Sequence, residues 1–312
     1  MTETRQPPAA RAGFGPAAFA RFAAASAARR PRSLATPWPE ALFVVFSGAG
    51  LGLGWSAGLA QVFGAGEAVA PVAAFASALL LALATASLAK PLPEGERFPR
   101  LGANLDAPRS WAVLSVWMAG VLAVADALFL LVFPSASHFF QAVLGLQMLQ
   151  LCPAAIVAGA EIFRREPRPR WKSPYLMPFR LLSALGTGSL WFAFLAILAG
   201  GPAGREAPVF LALAFLFLAA RLYPGREHLR FLARRRDGAS RRLASGPEAL
   251  WLLAAILLGA AVPLALVLSA LLFGGPFRVV SLAAPFATAV AAVIEAVLFY
   301  RVEDAAPAGA PV

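Results

Sequence analysis

The basic residues of this chain follow the gaps between eight long apolar segments, which are residues 41–63, 68–89, 112–133, 137–163, 179–200, 207–222, 247–273 and 277–300. Twenty-five of the 27 Lys and Arg residues lie in the two tails and in, or at the edges of, alternate gaps; the other gaps hold only Arg205 and Arg278. About 20 apolar residues span a bilayer as a helix, and juxtamembrane Lys and Arg resist translocation. The pattern predicts an all-α integral membrane protein, an eight-transmembrane-helix bundle with both termini in the cytoplasm.

This charge pattern also predicts the domain organisation. Residues 1–40 are expected to form a cytoplasmic tail, either disordered or lying on the membrane surface, residues 41–300 one membrane domain, and residues 301–312 a C-terminal tail. The predicted outer gaps are short and the inner gaps long and basic, so a protein partner is expected at the inner face. The basic residues that give the net charge of +11 flank the apolar segments. Membrane topology therefore explains this charge without a nucleic-acid partner.

Metal-bound cofactors are not expected in this chain. Cys152 is the only cysteine, so the sequence offers no cysteine cluster for zinc or iron–sulfur ligation. The only two histidines, His138 and His228, are predicted at opposite membrane faces, which excludes a haem held between them. We therefore expect no cofactor bound covalently or through metal ligands.

Several polar residues interrupt the apolar segments. Gln147, Gln150 and Glu161 fall on one stripe of the fourth segment, a position that usually faces the bundle interior or a cavity. They could bind a quinone carbonyl or carry a proton, or they could simply join helices by hydrogen bonds. Asp126 is expected to be neutral, or hydrogen-bonded to a Ser or Gln of a neighbouring helix, and a proton-handling role is open for it. Glu295 is expected to pair with a cation of an inner loop.

The first apolar segment is rich in glycine, with small residues four apart at Gly48, Gly52, Gly54 and Gly58 among others. Such spacing lets helix backbones approach closely, so tight helix packing is the main interpretation. The alternative is a groove in which a flat ligand lies against bare backbone. The Gly-x-Gly spacing is not read as a dinucleotide site, because no strand precedes it.

Several short motifs together resemble the membrane-anchor subunit of the dimethyl-sulfoxide-reductase family. They cover most of the chain: Phe43–Leu53, Cys152–Ala158, Pro169–Pro174, Leu185–Gly188, and Glu295 with Leu298–Tyr300. The resemblance implies a haem-free subunit of the bacterial inner membrane that anchors an iron–sulfur subunit and a molybdopterin catalytic subunit. It also implies exchange of electrons with membrane quinol, either menaquinol or ubiquinol. Lys90 stands where the family has a His linked to quinol oxidation.

The functional hypothesis is therefore a non-catalytic anchor subunit of a quinol-linked oxidoreductase. Its candidate quinone-binding residues are Lys90, Gln147, Gln150, Glu161 and Asp126, and its candidate partner-docking residues are Arg164, Arg165, Arg234, Arg235 and Arg236. Two other functions remain open from the sequence: a proton-coupled small-molecule transporter, and a membrane scaffold without chemistry.

Overall fold

The computed structural model describes residues 38–65, 68–87, 108–133, 137–165, 173–199, 206–234, 247–273 and 281–304, and this part of the chain is helical without a strand. Its α-helices are α1 (Trp38–Val62), α2 (Ala70–Ser87), α3 (Pro108–Val132), α4 (His138–Arg165), α5 (Leu176–Ala199), α6 (Ala207–Ala220), α7 (Leu222–Arg234), α8 (Pro247–Ile256), α9 (Val262–Phe273) and α10 (Ala284–Asp304). A π-helical turn, Leu257–Ala261, joins α8 to α9.

Seven stretches of the described chain are long and apolar enough to cross a bilayer, and the pair α6–α7 and the pair α8–α9 each count as one. The apolar part of α10, Ala284–Leu298, is shorter. The predicted all-α multi-pass membrane class is therefore confirmed. The count of eight spans and the cytoplasmic location of both termini stay predictions.

The distribution of side chains over the bundle is that of a membrane protein. Large apolar residues cover its exterior; Phe63, Phe139 and Leu250, for example, are each at least 70% exposed. Many buried positions carry Ala, Gly or Ser instead, which allow helices to approach one another closely. A protein with such an apolar exterior would aggregate in water, whereas lipid chains solvate the same surface well.

Helix α1 is central, because it packs against α2, α4, α5 and α10. A Cβ on Gly52 would collide with the backbone oxygen of Ala184 in α5. A Cβ on Gly58 would lie 2.6 Å from the backbone oxygen of Gly145 in α4. The Ser77 hydroxyl of α2 donates to the backbone oxygen of Gly50 at 2.7 Å. The interpretation of the glycines as helix-packing residues is confirmed for this part of α1.

One predicted loop is partly helical. The sequence places an inner loop at residues 223–246, but α7 continues the sixth span as far as Arg234. Pro224 is tolerated there because it lies in the first turn of α7, where backbone N–H groups lack intrahelical partners. Helix α7 packs against α5, where a Cβ on Gly225 would lie 3.1 Å from the Phe179 ring. A helix with one apolar side, docked on the bundle, therefore replaces the first half of the loop.

Candidate functional site

The structure does not bring the candidate quinone-binding residues together. Gln147 and Gln150 are exposed on α4, so the prediction that they face the interior is wrong. The physical reason is that α4 approaches α1 through Gly145 and Met148, and this contact has no room for two amide side chains. Lys90 lies outside the described residues, and so does the side chain of Glu161.

The candidate docking residues are described only in part. Arg234 is exposed at the end of α7. The side chains of Arg164 and Arg165 at the end of α4, and residues Arg235 and Arg236, lie outside what the structure describes.

A cavity of about 780 Å³ lies inside the bundle. Its wall includes residues of α1, α4, α5, α7 and α10, and along α1 it extends from Phe43 to Leu51, about 12 Å at 1.5 Å per residue. Most of the wall is apolar, as with Val44, Val116 and Ile156. Cavities of this size and character are typical of small-molecule sites, where a few polar groups orient the ligand.

A buried ion pair forms part of the polar end of the cavity. Arg221, at the junction of α6 and α7, has a guanidinium nitrogen 3.6 Å from Glu295 Oε1 of α10. Its side chain is 7% exposed and that of Glu295 is 26% exposed. Arg221 also donates to the Ser183 hydroxyl at 3.2 Å, and its guanidinium lies 5.4 Å from the centre of the Phe179 ring. Two helices, α5 and α10, thus hold the Arg221 guanidinium at the cavity wall.

His228 contributes the second polar group. It lies two helical turns after Arg221 on α7, lines the cavity, and is only 8% exposed. Its Nδ1 atom is buried and has no hydrogen-bond partner within the described part of the chain. Because a buried imidazole nitrogen without a partner is unfavourable, His228 is suited to bind a polar atom of a ligand. Arg226 and Arg230 line the same end and are exposed, which marks the mouth of the cavity.

The π-helical turn makes room for the ion pair. Gly259 lies within this turn, and a Cβ there would be 2.6 Å from Arg221 Nη2 and 3.0 Å from the Ala291 Cβ. Pro263 follows the turn and cannot donate the usual helical hydrogen bond, so the wider turn also relieves its clash with the preceding carbonyl. Single π-helical turns inside α-helices are frequent at functional sites.

Bare backbone lines two parts of the cavity wall. Gly48 of α1 and Gly159 of α4 both line it, and a Cβ built on either would meet no described atom within 4 Å. Gly48 therefore lines a cavity instead of a helix contact, and the alternative of a flat ligand lying against its backbone stays a prediction. The structure divides the glycines of α1 between helix packing and the cavity.

The sequence contained part of this site. The expectation that Glu295 pairs with a cation is confirmed, and the partner is Arg221. Arg221 lies between α6 and α7 rather than in a loop, and the inner location of this end stays a prediction. The sequence does not predict that His228 lines the cavity, because its apolar pattern places residues 223–246 in a loop. The signal in the sequence is the helical spacing of Leu222, Gly225, Leu229 and Leu232, which fall on one side of a helix.

A second buried polar pair lies at the opposite end of α1. The Gln61 amide Nε2 donates to Asp126 Oδ2 at 2.6 Å, and both side chains are buried. The expected hydrogen bond between Asp126 and a Gln of a neighbouring helix is therefore confirmed. Asp126 does not line the cavity and is not brought close to Gln147 or Gln150 by any described contact.

Metal ligands are not grouped in this structure: among the described side chains, no set of three or more His, Cys, Asp or Glu residues could hold a metal ion. Comparison of the sequence with known protein families finds no match, and comparison with curated proteins finds no match either. The resemblance to reductase anchor subunits therefore rests on the short motifs alone, and the cavity carries the functional argument.

Proposed function

We propose that this chain is the haem-free, quinone-interacting membrane anchor of a multi-subunit oxidoreductase, and that the quinone ring occupies the cavity between α1, α5, α7 and α10. The observation that carries the proposal is an apolar cavity whose polar end combines Arg221, Glu295 and the unpartnered His228 Nδ1. A quinone needs this combination, because its ring and isoprenoid tail are apolar and its two oxygens require hydrogen-bond partners.

The polar end offers suitable proton chemistry. A bound quinol supplies two electrons and two protons when it is oxidised. His228 Nδ1 can accept one hydroxyl proton, and the Glu295 carboxylate can accept the other. Arg221 is already held by Ser183 and Phe179, so it keeps Glu295 oriented towards the cavity. Arg226 and Arg230 at the mouth are exposed, and protons can leave the cavity there.

The same end of the bundle suits the proposed partners. Helix α7 carries His228 on its cavity side and ends at the exposed Arg234, next to the basic residues Arg235 and Arg236. An iron–sulfur subunit docked on these arginines would lie close to the mouth of the quinone cavity. The proposal therefore places electron acceptor and quinol at one end of the bundle, with the molybdopterin subunit attached through the iron–sulfur subunit.

Photolabelling and kinetics test the proposal together. An azido-quinone should label the cavity wall of the purified chain in lipid nanodiscs, and unlabelled quinol should compete. In the complete complex, His228→Gln and Glu295→Gln should each slow quinol-driven turnover by about 100-fold, the range for loss of a general base. Dye-linked turnover, which bypasses the quinone, should not change.

Two variants serve as controls. His138→Gln removes the other histidine, which is exposed and does not line the cavity. Glu227→Gln removes a carboxylate of α7 that also does not line it. Normal quinol kinetics in both cavity variants, together with labelling elsewhere, would refute the quinone site.

A further inference from the structure

The contact between Asp126 of α3 and Gln61 of α1 leaves a specific pair of atoms unsatisfied. Gln61 Nε2 donates to Asp126 Oδ2, while Asp126 Oδ1 and Gln61 Oε1 are both buried without a hydrogen-bond partner in the described chain. Asp126 is 0% exposed and Gln61 is 2% exposed. If Asp126 were ionised, both orphaned atoms would be acceptors, and neither would have a donor.

A single proton resolves this. A carboxylic acid and a carboxamide have complementary edges, so they can form two parallel hydrogen bonds in one ring. With the proton on Asp126 Oδ1, this O–H donates to Gln61 Oε1 while Gln61 Nε2–H donates to Asp126 Oδ2. The two atoms that lack partners are the two that this second bond joins. We infer that Asp126 and Gln61 form a proton-binding site, a neutral acid–amide pair between α3 and α1.

The surroundings favour the neutral form. Gln61 is pressed against α4, where a Cβ on Gly145 would lie 2.9 Å from the Gln61 Cβ and 3.3 Å from its Oε1. An ionised carboxylate in such a place needs a cation or several donors. Among the described ion pairs none involves Asp126, and one amide donor is its only described hydrogen-bond partner.

Other titratable groups near the pair are few in the described helices that pack against α3, which are α1, α2 and α4. Helix α4 contributes His138, which is exposed and contacts Gly64 just after α1; a Cβ on Gly64 would lie 3.2 Å from the His138 Cε1. It also contributes the buried Cys152, which lies deeper, beside Gly54. His138 is therefore an exposed titratable group at the same end of α1 as the pair, and no described contact joins it to Asp126 or Gln61.

Infrared spectroscopy of the whole chain in lipid tests the inference directly. The sequence has four aspartates, Asp106, Asp126, Asp237 and Asp304, so isotope labelling of aspartate separates their carbonyl bands from those of Glu295 and every other glutamate. At neutral pH ordinary aspartates are ionised. We expect one isotope-sensitive band of a protonated carboxyl, which disappears completely in Asp126→Asn.

Two further variants examine the ring itself. Gln61→Met keeps the length of the side chain but removes both amide groups, so the band should move towards that of a carboxyl without hydrogen bonds. His138→Gln should leave the band unchanged at equilibrium. Asn at position 126 can form an equivalent amide–amide pair, so Asp126→Asn should fold normally.

The spectra also define the outcomes that overturn the inference. A wild-type chain without a protonated-aspartate band at neutral pH would show that Asp126 is ionised. A band that survives Asp126→Asn would assign the proton to another aspartate. A band that disappears in Asp126→Asn but keeps its position in Gln61→Met would rule out the acid–amide pair. If Gln61→Met does not fold, the comparison of wild type with Asp126→Asn still decides whether the proton is present.

Discussion

Removing one partner of the ion pair between Arg221 and Glu295 should destabilise the bundle far more than the intact pair stabilises it. At 3.6 Å and an effective dielectric constant near 20, the gross attraction is about 4–5 kcal/mol. Desolvation of both groups offsets much of this, so the net value of the pair is small. The informative quantity is therefore the cost of leaving one partner alone.

The two single substitutions should differ. Glu295→Leu removes the carboxylate from Arg221, whose side chain is only 7% exposed. Because arginine does not deprotonate in proteins, we expect the free energy of unfolding to fall by about 3–4 kcal/mol. Arg221→Met leaves Glu295, which is 26% exposed to the cavity and can take up a proton, so we expect a loss of about 1–2 kcal/mol. The double variant Arg221→Met/Glu295→Leu should lose no more than about 1–2 kcal/mol, because no unpaired charge remains.

Equilibrium unfolding of the purified chain in mixed micelles, followed by circular dichroism, measures these free energies. The double-mutant cycle should give a coupling of about 2–5 kcal/mol between the two positions. The pair Arg230 and Glu227 is the matched control. Its atoms are closer, at 2.6 Å, but the Arg230 side chain is 48% exposed, so its coupling should not exceed about 1 kcal/mol. Additive effects at Arg221 and Glu295, or a larger coupling in the control pair, would refute the reasoning.

Three further predictions concern single helix positions. Gly259→Ala should push the Arg221 guanidinium away from Glu295 and lower the free energy of unfolding by about 1–3 kcal/mol in the same assay. Gly159→Ala should lower it less, because a Cβ at that position meets no described atom. Gly52→Leu should prevent α1 from packing on α5, seen as loss of the folded peak in size-exclusion chromatography, whereas Gly48→Leu should fold but block quinone labelling. Gln147→Leu and Gln150→Leu, on the exposed side of α4, should each change stability by less than about 0.5 kcal/mol and leave quinol turnover normal.

Some features of the site could be predicted from the sequence because they follow from the local composition. A carboxylate such as Glu295, near the end of an apolar helix, must find a cation, and the nearest basic residues lie at the same end. A buried Asp126 must likewise find a hydrogen-bond donor. Neither argument identifies the partner, since Arg221 and Gln61 come from helices distant in sequence, and only packing brings them close.

Other features depend on packing from the start. The stripe of Gln147, Gln150 and Glu161 was expected to face inwards because polar groups avoid lipid. The approach of α4 to α1 at Gly145 instead turns Gln147 and Gln150 to the outside. The close packing of the α1 and α4 backbones at Gly145 thus stabilises the bundle more than the exposure of two neutral amides destabilises it.

The sequence by itself determined that this chain forms apolar helices, because the length of each apolar segment and the charges between them depend only on the order of residues. It also determined which glycines have the spacing that close helix packing uses. The tertiary structure decided which of these glycines pack and which line a cavity, because that depends on how the neighbouring helices cross. It also brought Arg221, His228 and Glu295 to one cavity wall, since α7 continues as a helix and the turn at Gly259 makes room for a guanidinium.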